Sequence, residues 1–258
     1  MKEKIAITRM KGEEKSTADD WVASEGPLTI TLNRQEIVTF LCTPGHLEDL
    51  AVGYLLGEGL VKSVSLIEEI HFFKTEGILA VQVKSVNKVA MKTLGKRYLT
   101  TGCGSGSSFY HLMDEHMIDT VPARSKAQLR DLQAAMKMLQ NNSPLFACTG
   151  GVHACALFSG EDMLVLREDI GRHNAADKVL GWFYRQNLAP EQTCFLTTGR
   201  ISSEILLKVA KAAIPILVSR SAPTSLAVDI ARRINLTLVG FLRGKRANVY
   251  AGEERIFA

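Results

Sequence analysis

The sequence predicts an α/β protein, with helices on both sides of a sheet in its second half and a smaller strand-rich part in front. Three observations lead there. From about residue 125 onward, short β-rich runs alternate with amphipathic stretches of ten or more residues. That alternation is the pattern of βαβ units and of a largely parallel sheet covered on two faces. Before that point strand-sized runs dominate and one helix stands out. The composition, 258 residues with 46% apolar and 22% charged, is that of a globular chain with a sizeable core. The length suits one large domain or two small ones. The expected division gives an α+β part over 1–120 and an α/β core over 121–258, although no Pro/Gly-rich linker marks it.

Each element follows from local composition. Leu28 to Asn33 and Glu36 to Cys42 are β-rich runs around Arg34-Gln35, a predicted hairpin. Thr43-Pro44-Gly45-His46 then breaks the chain. Pro44 suits the first turn of a helix, and Glu48 and Asp49 sit at the positive end of its dipole. Leu47, Leu50, Ala51, Tyr54 and Leu55 recur at helical spacing, so this helix is expected to bury one face and to stop at Gly57 and Gly59. Ile67 to Phe73 and Ile78 to Val83 form a second strand pair. Residues 100–108, TTGCGSGSS, are the most distinctive stretch of the chain, and Phe109 to Met117 reads as a short helix after it. Ser125 to Asn141 is amphipathic, with Leu129, Leu132, Met136 and Leu139 on its buried face. Strands are expected at Val152 to Phe158, Met163 to Arg167, Cys194 to Thr198, Ile214 to Val218, Thr237 to Leu242 and Ala247 to Tyr250. Helices are expected at His173 to Arg185, Ser203 to Ala213 and Pro223 to Ile234.

Charge and cysteine usage narrow the function classes. The 31 Lys and Arg against 27 Asp and Glu leave +4, too small and too scattered an excess for duplex nucleic acid. Five Cys without paired spacing argue against a disulfide framework and for a reducing compartment. The first twenty residues hold no apolar signal core, and no run approaches the ~18–20 apolar residues of a membrane span. A cytoplasmic protein without nucleic-acid or membrane partners is expected.

Cys103 lies between Gly102 and Gly104 in a loop of small polar residues. Ser107 or Ser108 can cap the following helix, and a thiol near a helix N-terminus has its thiolate favoured. An accessible thiolate on a loop that swings suits a sulfur carrier or a nucleophile. The plain alternative is a flexible glycine loop with an incidental Cys. The other four cysteines read as small buried hydrophobes, and the Cys148, His153, Cys155 spacing matches no common zinc pattern. Several loops fall where strands end and helices begin, the place where open α/β sheets bind ligands. Arg167 to Asn174 packs Arg172 and His173 with two carboxylates around Gly171, for a ligand or as a structural lattice. Thr197 to Ser203 offers Arg200 and helix N–H groups to an anion. Ser219 to Thr224 repeats that logic. Phe241-Leu242-Arg243-Gly244-Lys245-Arg246 sets three cations around a glycine turn. Such loops on one sheet edge suit a large phosphorylated ligand.

These stretches resemble the FdhD family of formate dehydrogenase accessory sulfurtransferases, or sulfur carriers. The matching motifs are LCTPGHLEDLAVGYLLGEGLV (41–61), FACTGGVHACALF (146–158), EDIGRHNAADKVLG (168–181), TTGRISSEILLK (197–208), SRSAPTSLAV (219–228) and GFLRGKRANVY (240–250). The resemblance implies that Cys103 accepts sulfur as a persulfide from a cysteine desulfurase. It further implies that the sulfur passes to the molybdenum cofactor, bis-molybdopterin guanine dinucleotide, before insertion into formate dehydrogenase. Phe241, Leu242, Arg243, Gly244, Lys245 and Arg246 are expected to contact that cofactor, with Arg172, His173, Arg200 and Ser219 in the loops beside them. A homodimer is implied as well. The family's persulfide loop usually reads C-x-x-C, and Gly106 stands where the second Cys would be. That departure leaves a chaperone that holds the cofactor without moving sulfur as the alternative. The implied fold is a three-layer α-β-α mixed sheet similar to cytidine deaminases. The zinc-deaminase signature is missing, because His173-Asn174-Ala175 lacks the catalytic Glu and Arg200-Ile201-Ser202-Ser203 lacks thiolates. No zinc is expected.

Overall fold

Local pairing builds the N-terminal part, seen in a computed structural model that describes residues 1–93, 120–121, 125–186 and 188–257. The Cys103 loop and the expected helix at 109–117 lie outside the described residues. Strands β1 (Lys2–Lys11) and β2 (Glu14–Ala23) form a hairpin around Gly12-Glu13, with Gly12 at φ +62°. The sequence reading placed no strands there. Nearly every residue of the hairpin is exposed, so no core-facing alternation marks it.

A four-stranded sheet follows, ordered β4-β3-β6-β5 from β3 (Gly26–Leu32), β4 (Gln35–Cys42), β5 (Ile67–Phe73) and β6 (Ile78–Val83). Strands β3 and β4 turn at Asn33-Arg34, both at positive φ (47° and 69°), as a tight two-residue hairpin loop demands. Helix α1 (Leu47–Gly57) packs on this sheet, where Leu50, Leu55, Leu28, Ile30, Leu79 and Val81 share one cluster. One buried face was expected for α1, but every residue from Asp49 to Gly57 is buried. The helix is covered from both sides. Its second face meets helix α5 (Arg172–Tyr184) of the C-terminal half, and Gly53 and Gly181 let the two backbones touch. A Cβ at Gly53 would lie 1.9 Å from the Asp177 carbonyl oxygen, and one at Gly181 would lie 1.8 Å from that of Asp49. A short helix α2 (Lys88–Thr93) ends the described N-terminal segment.

The C-terminal half is a three-layer α/β arrangement. Its six-stranded sheet is ordered β13-β12-β11-β10-β8-β9, from β8 (His153–Ser159), β9 (Asp162–Asp169), β10 (Thr193–Thr197), β11 (Ile216–Ser219), β12 (Thr237–Arg243) and β13 (Arg246–Ala251). The sheet is mixed rather than largely parallel: only β10–β11 and β11–β12 run parallel. Turns as short as 160–161 and 244–245 leave no room for a crossover helix, so those strand pairs are antiparallel. Side-chain alternation separates the two faces. Cys155, Leu157, Phe195, Leu217 and Leu238 pack with helices α5, α6 (Ser203–Lys211) and α7 (Ser225–Arg233). Ala154, Ala156, Phe158, Leu196, Val218 and Val239 pack with α3 (Leu129–Asn141). Helix α3 begins four residues later than expected, because β7 (Ala127–Gln128) is drawn into pairing with β14 (Ile256–Phe257). Pro144, expected only as a terminator, opens one more turn of helix, α4 (Pro144–Thr149). No helix of the described residues is long and apolar enough to cross a membrane.

The α1–α5 crossing tolerates no side chain at its centre. Gly53→Ala is expected to lower stability by about 3 kcal/mol in urea unfolding, the upper end for overpacking, because the obstacle is backbone. Gly26→Ala, with nothing within 4 Å of the new Cβ, is expected to change it by under ~0.5 kcal/mol.

Candidate functional site

Five chain segments meet at one end of the central sheet, because β9, β10, β11 and β12 all finish there and β8 starts there. Hydrogen bonds stitch neighbouring loops together. Thr198 N–H donates to the Ala154 carbonyl at 2.9 Å, and Ala154 N–H donates back to Thr198 Oγ1 at 3.0 Å. Ser219 Oγ donates to the Gly199 carbonyl at 2.6 Å and accepts from Ser221 N–H at 2.8 Å. Ile201 N–H donates to the Ala222 carbonyl, and Phe241 N–H to that of Ser221. Arg243 Nε donates to the Arg220 carbonyl at 2.9 Å.

The rim of this end is cationic. Arg200, Arg220, Arg243, Lys245 and Arg246 are all exposed. Phe241, half-buried, has φ +51° on a bulged stretch of β12, a strained conformation for an aromatic residue. Its ring lies under two guanidinium groups, Arg246 at 5.3 Å and Arg243 at 5.8 Å from the centroid. That stacking holds both cations beside the turn at Gly244. Gly240 lets β12 pass close to the 221–223 loop, since a Cβ there would lie 2.9 Å from Pro223 and Tyr250 atoms.

Deeper in the same end, His173 Nε2 lies 3.0 Å from Glu204 Oε2 and 3.1 Å from Ser202 Oγ. Ser202 also caps α6 by accepting from Ile205 N–H. The other Glu204 oxygen, Oε1, is buried with no partner among the described residues, an acceptor left for a ligand donor. Burial holds the His153 pKa below the usual histidine value, and the charges of Arg172, His173 and Arg200 push it the same way. The arrangement suits an anion, with exposed guanidinium groups outside and helix α6 opening inward.

A buried ion pair fixes these loops to the N-terminal part. Asp169 ends β9 with zero exposure. Its Oδ2 accepts from Lys178 Nζ at 2.6 Å and Thr43 N–H at 3.0 Å, and its Oδ1 accepts from Gly171 N–H at 2.9 Å and Asn174 Nδ2 at 3.0 Å. Lys178 Nζ also donates to the Thr43 carbonyl at 2.8 Å, and Asn174 Nδ2 to that of Leu41. Thr43–His46 is thereby clamped against the 170–174 turn, with His46 at φ +53°.

The sequence-predicted residues divide by what they touch. Arg172, His173, Arg200, Arg243, Lys245, Arg246 and Phe241 come together at this end. Ser219 is fully buried and spends its hydroxyl on holding loops 199 and 221. Leu242 is buried in the α3 core, so its side chain serves packing. Cys103 lies outside the described residues. Asp169, one of the two carboxylates that the sequence puts in the 167–174 loop for a ligand or a structural lattice, serves the lattice; Lys178 and Glu204 were not singled out, and His153 was weighed only as a metal ligand. A cavity of ≈ 680 Å³ lies elsewhere, between the N-terminal sheet and the start of α1, lined by Leu28, Cys42, His46, Phe72, Leu79 and Arg185 among others.

The remaining cysteines differ from one another. Burial pushes the Cys42 thiol up to about 11 and those of Cys155 and Cys194 up to about 12. Cys148 and Cys194, both expected in the core, are only half-buried, and the Cys148 sulfur lies 3.2 Å from Lys2 Nζ. Among these four, iodoacetamide at pH 8 is expected to label Cys148 first. The other three hold about a thousandth or less of their thiol as thiolate and should react only after denaturation. Lys178→Met removes the ammonium partner of the buried Asp169 carboxylate and is expected to cost about 3–5 kcal/mol in urea unfolding.

Comparison with known proteins places this geometry. Residues 23–257 match the FdhD/NarQ family. A sulfur carrier protein FdhD of Listeria innocua is 44% identical over 237 residues, covering 91% of each chain. One from Bacillus subtilis is 38% identical over 250 residues, 97% of this chain and 95% of its own. The crystal structure of a putative formate dehydrogenase accessory protein from Desulfotalea psychrophila superposes with a TM-score of 0.81 at 29% identity, covering 99% of both chains. With its fold and nearly its whole length in common with these proteins, the chain belongs to the FdhD/NarQ family.

Proposed function

We propose that this protein is a sulfur carrier for formate dehydrogenase maturation that moves sulfur from a cysteine desulfurase to a guanine-dinucleotide molybdenum cofactor. The observation that carries the reading is the convergence of Arg200, Arg220, Arg243, Lys245 and Arg246 at one sheet end, in a chain whose relatives are named sulfur carriers. The cofactor is cargo here. Its phosphates suit the exposed guanidinium groups, which bind such oxygens bidentately. The unpaired Glu204 Oε1 accepts from a cargo N–H.

Sulfur transfer needs one thiol. The Cys103 thiolate attacks the outer sulfur of the donor's persulfide, the donor's S–S bond breaks, and its thiolate leaves. Delivery as sulfide then breaks the Cys103 S–S bond: an external thiol supplies the two electrons by attacking Cys103 Sγ, a mixed disulfide forms there, and the outer sulfur leaves as hydrosulfide to the acceptor. With Gly106 where the family's loop usually reads a second Cys, the protein has no thiol at that position to expel sulfide as a disulfide forms. A cofactor chaperone that moves no sulfur is the competing reading, and the same position favours it.

Mass spectrometry after incubation with a desulfurase and cysteine is expected to find an added sulfur on Cys103, lost in Cys103→Ala. Cys103→Ala is expected to leave guanine-nucleotide binding intact while failing to restore formate dehydrogenase activity in a strain lacking the protein. Restored activity with that variant means the chaperone reading holds. Arg246→Ala removes a charge-assisted contact worth about 1.5–3 kcal/mol, so affinity for guanosine diphosphate should fall about 10- to 100-fold.

A further inference from the structure

The cavity of ≈ 680 Å³ between the N-terminal sheet and the start of α1 has the size of a small-molecule site. The sulfur transfer makes no use of it. One wall is apolar: Leu28 of β3 and Leu79 of β6 close it from the sheet. Phe72 pairs with Leu79 across β5 and β6 and so stands over the same sheet face, where it keeps 37% of its surface exposed. The opposite wall is polar and comes from the first turn of α1. The His46 side chain does not cap this helix, and the N–H groups of Leu47, Glu48 and Asp49 have no acceptor among the described residues. Glu48 Oε2 lies 3.3 Å from Arg185 Nη1, and Glu48 Oε1 has no partner among the described residues. Burial, aided by the charge of Arg167, holds the His46 pKa below the usual histidine value. The formal charges of the lining cancel, Lys74 and Arg185 against Glu48 and Asp49. That balance suits an uncharged ligand and not a phosphate.

We propose that this cavity binds a flat, uncharged heterocycle with an amino-oxo-pyrimidine edge, of the pterin class. The ring stacks on Phe72 above the apolar sheet face. Its carbonyl accepts from the first N–H groups of α1, while its ring N–H and amino group donate to Glu48. An adenine ring fails both contacts, because it carries an amino group in place of the carbonyl and no N–H on that edge. Guanine shares the edge but arrives with phosphates, which the exposed cations at the sheet end take. The two places are joined by one segment: Thr43 bonds Asp169 and Ile170 at the sheet end, and His46 lines the cavity. Only the source of the ring rests on the cargo reading, in which a molybdopterin guanine dinucleotide carries a pterin at the end away from its guanine.

Fluorescence titration of 6-hydroxymethylpterin with the full chain tests it. Binding is expected to quench the pterin emission and to saturate below about 1 mM. Lumazine, with a carbonyl in place of the 2-amino group, should bind at least about tenfold more weakly, because it sets an oxygen against Glu48. Phe72→Ala and Glu48→Gln should each weaken pterin binding about tenfold, and Phe72→Trp should keep it near the wild-type value. Guanosine diphosphate affinity should be unchanged in all three variants, since none of these residues lies at the sheet end. A protein that binds guanosine diphosphate but no pterin up to about 1 mM overturns the proposal and leaves the cargo reading standing. Pterin binding without guanosine diphosphate binding keeps the cavity site and removes the cargo reading, and absence of both overturns both. Pterin binding that is indifferent to Phe72 and Glu48, or matched by lumazine, overturns the proposal too.

Discussion

The carboxylate of Asp169 has no contact with water, and four donors hold it in place. Two of them come from helix α5, one from the turn that starts it and one from Thr43 of the N-terminal part. A buried charge is costly unless its partners are complete. This one therefore constrains every group around it at once. It sets where β9 ends and how α5 begins. Through Thr43 it also sets how the segment before α1 approaches. Lys178 closes the arrangement by reaching both the carboxylate and the Thr43 carbonyl.

Other charged contacts repeat this logic along the α1–α5 boundary. Lys208 lies between Asp177 at 2.7 Å and Glu58 at 3.2 Å; burial disfavours its charge, but the two carboxylates outweigh that and keep its pKa above the ordinary lysine value. Asp49 takes Arg167 at 2.7 Å and Arg185 at 3.2 Å. Together with the Gly53–Gly181 approach, these pairs make the N-terminal part and the central sheet one packed unit across α1 and α5. Ionic partners specify the orientation there, and backbone contact leaves no room for sliding. The rigid base matters for the site. The loops at the sheet end carry exposed cations, which bind well only when their geometry is held in advance.

Much of the fold is visible in local sequence. The strands at 67–73 and 78–83 and the helix from Leu47 to Gly57 coincide with the periodic runs that predict them. The hairpin at 2–23 is invisible by that route, because its residues face solvent on both sides and carry no alternation of burial. The all-round burial of α1 is equally hidden. Periodicity reports one packed face, whereas α1 is packed by a partner more than a hundred residues away. At the site, glycine turns flanked by arginines at 197–203 and 241–246 are readable as anion loops. Glu204 is not, since a carboxylate beside a helix start looks the same whether it caps, pairs or faces a ligand.

By itself, the sequence determined the strands and helices that bury a periodic face, where the cationic loops lie along the chain, and which motifs mark its family. Those properties depend on neighbours a few residues apart, and short-range patterns carry them. The tertiary structure alone decided that Ser219 and Leu242 serve the interior, and that Asp169 and Lys178 join two parts of the chain. Burial and pairing over long separations depend on what folds against what. Only the packed chain brings Thr43 within reach of Asp169.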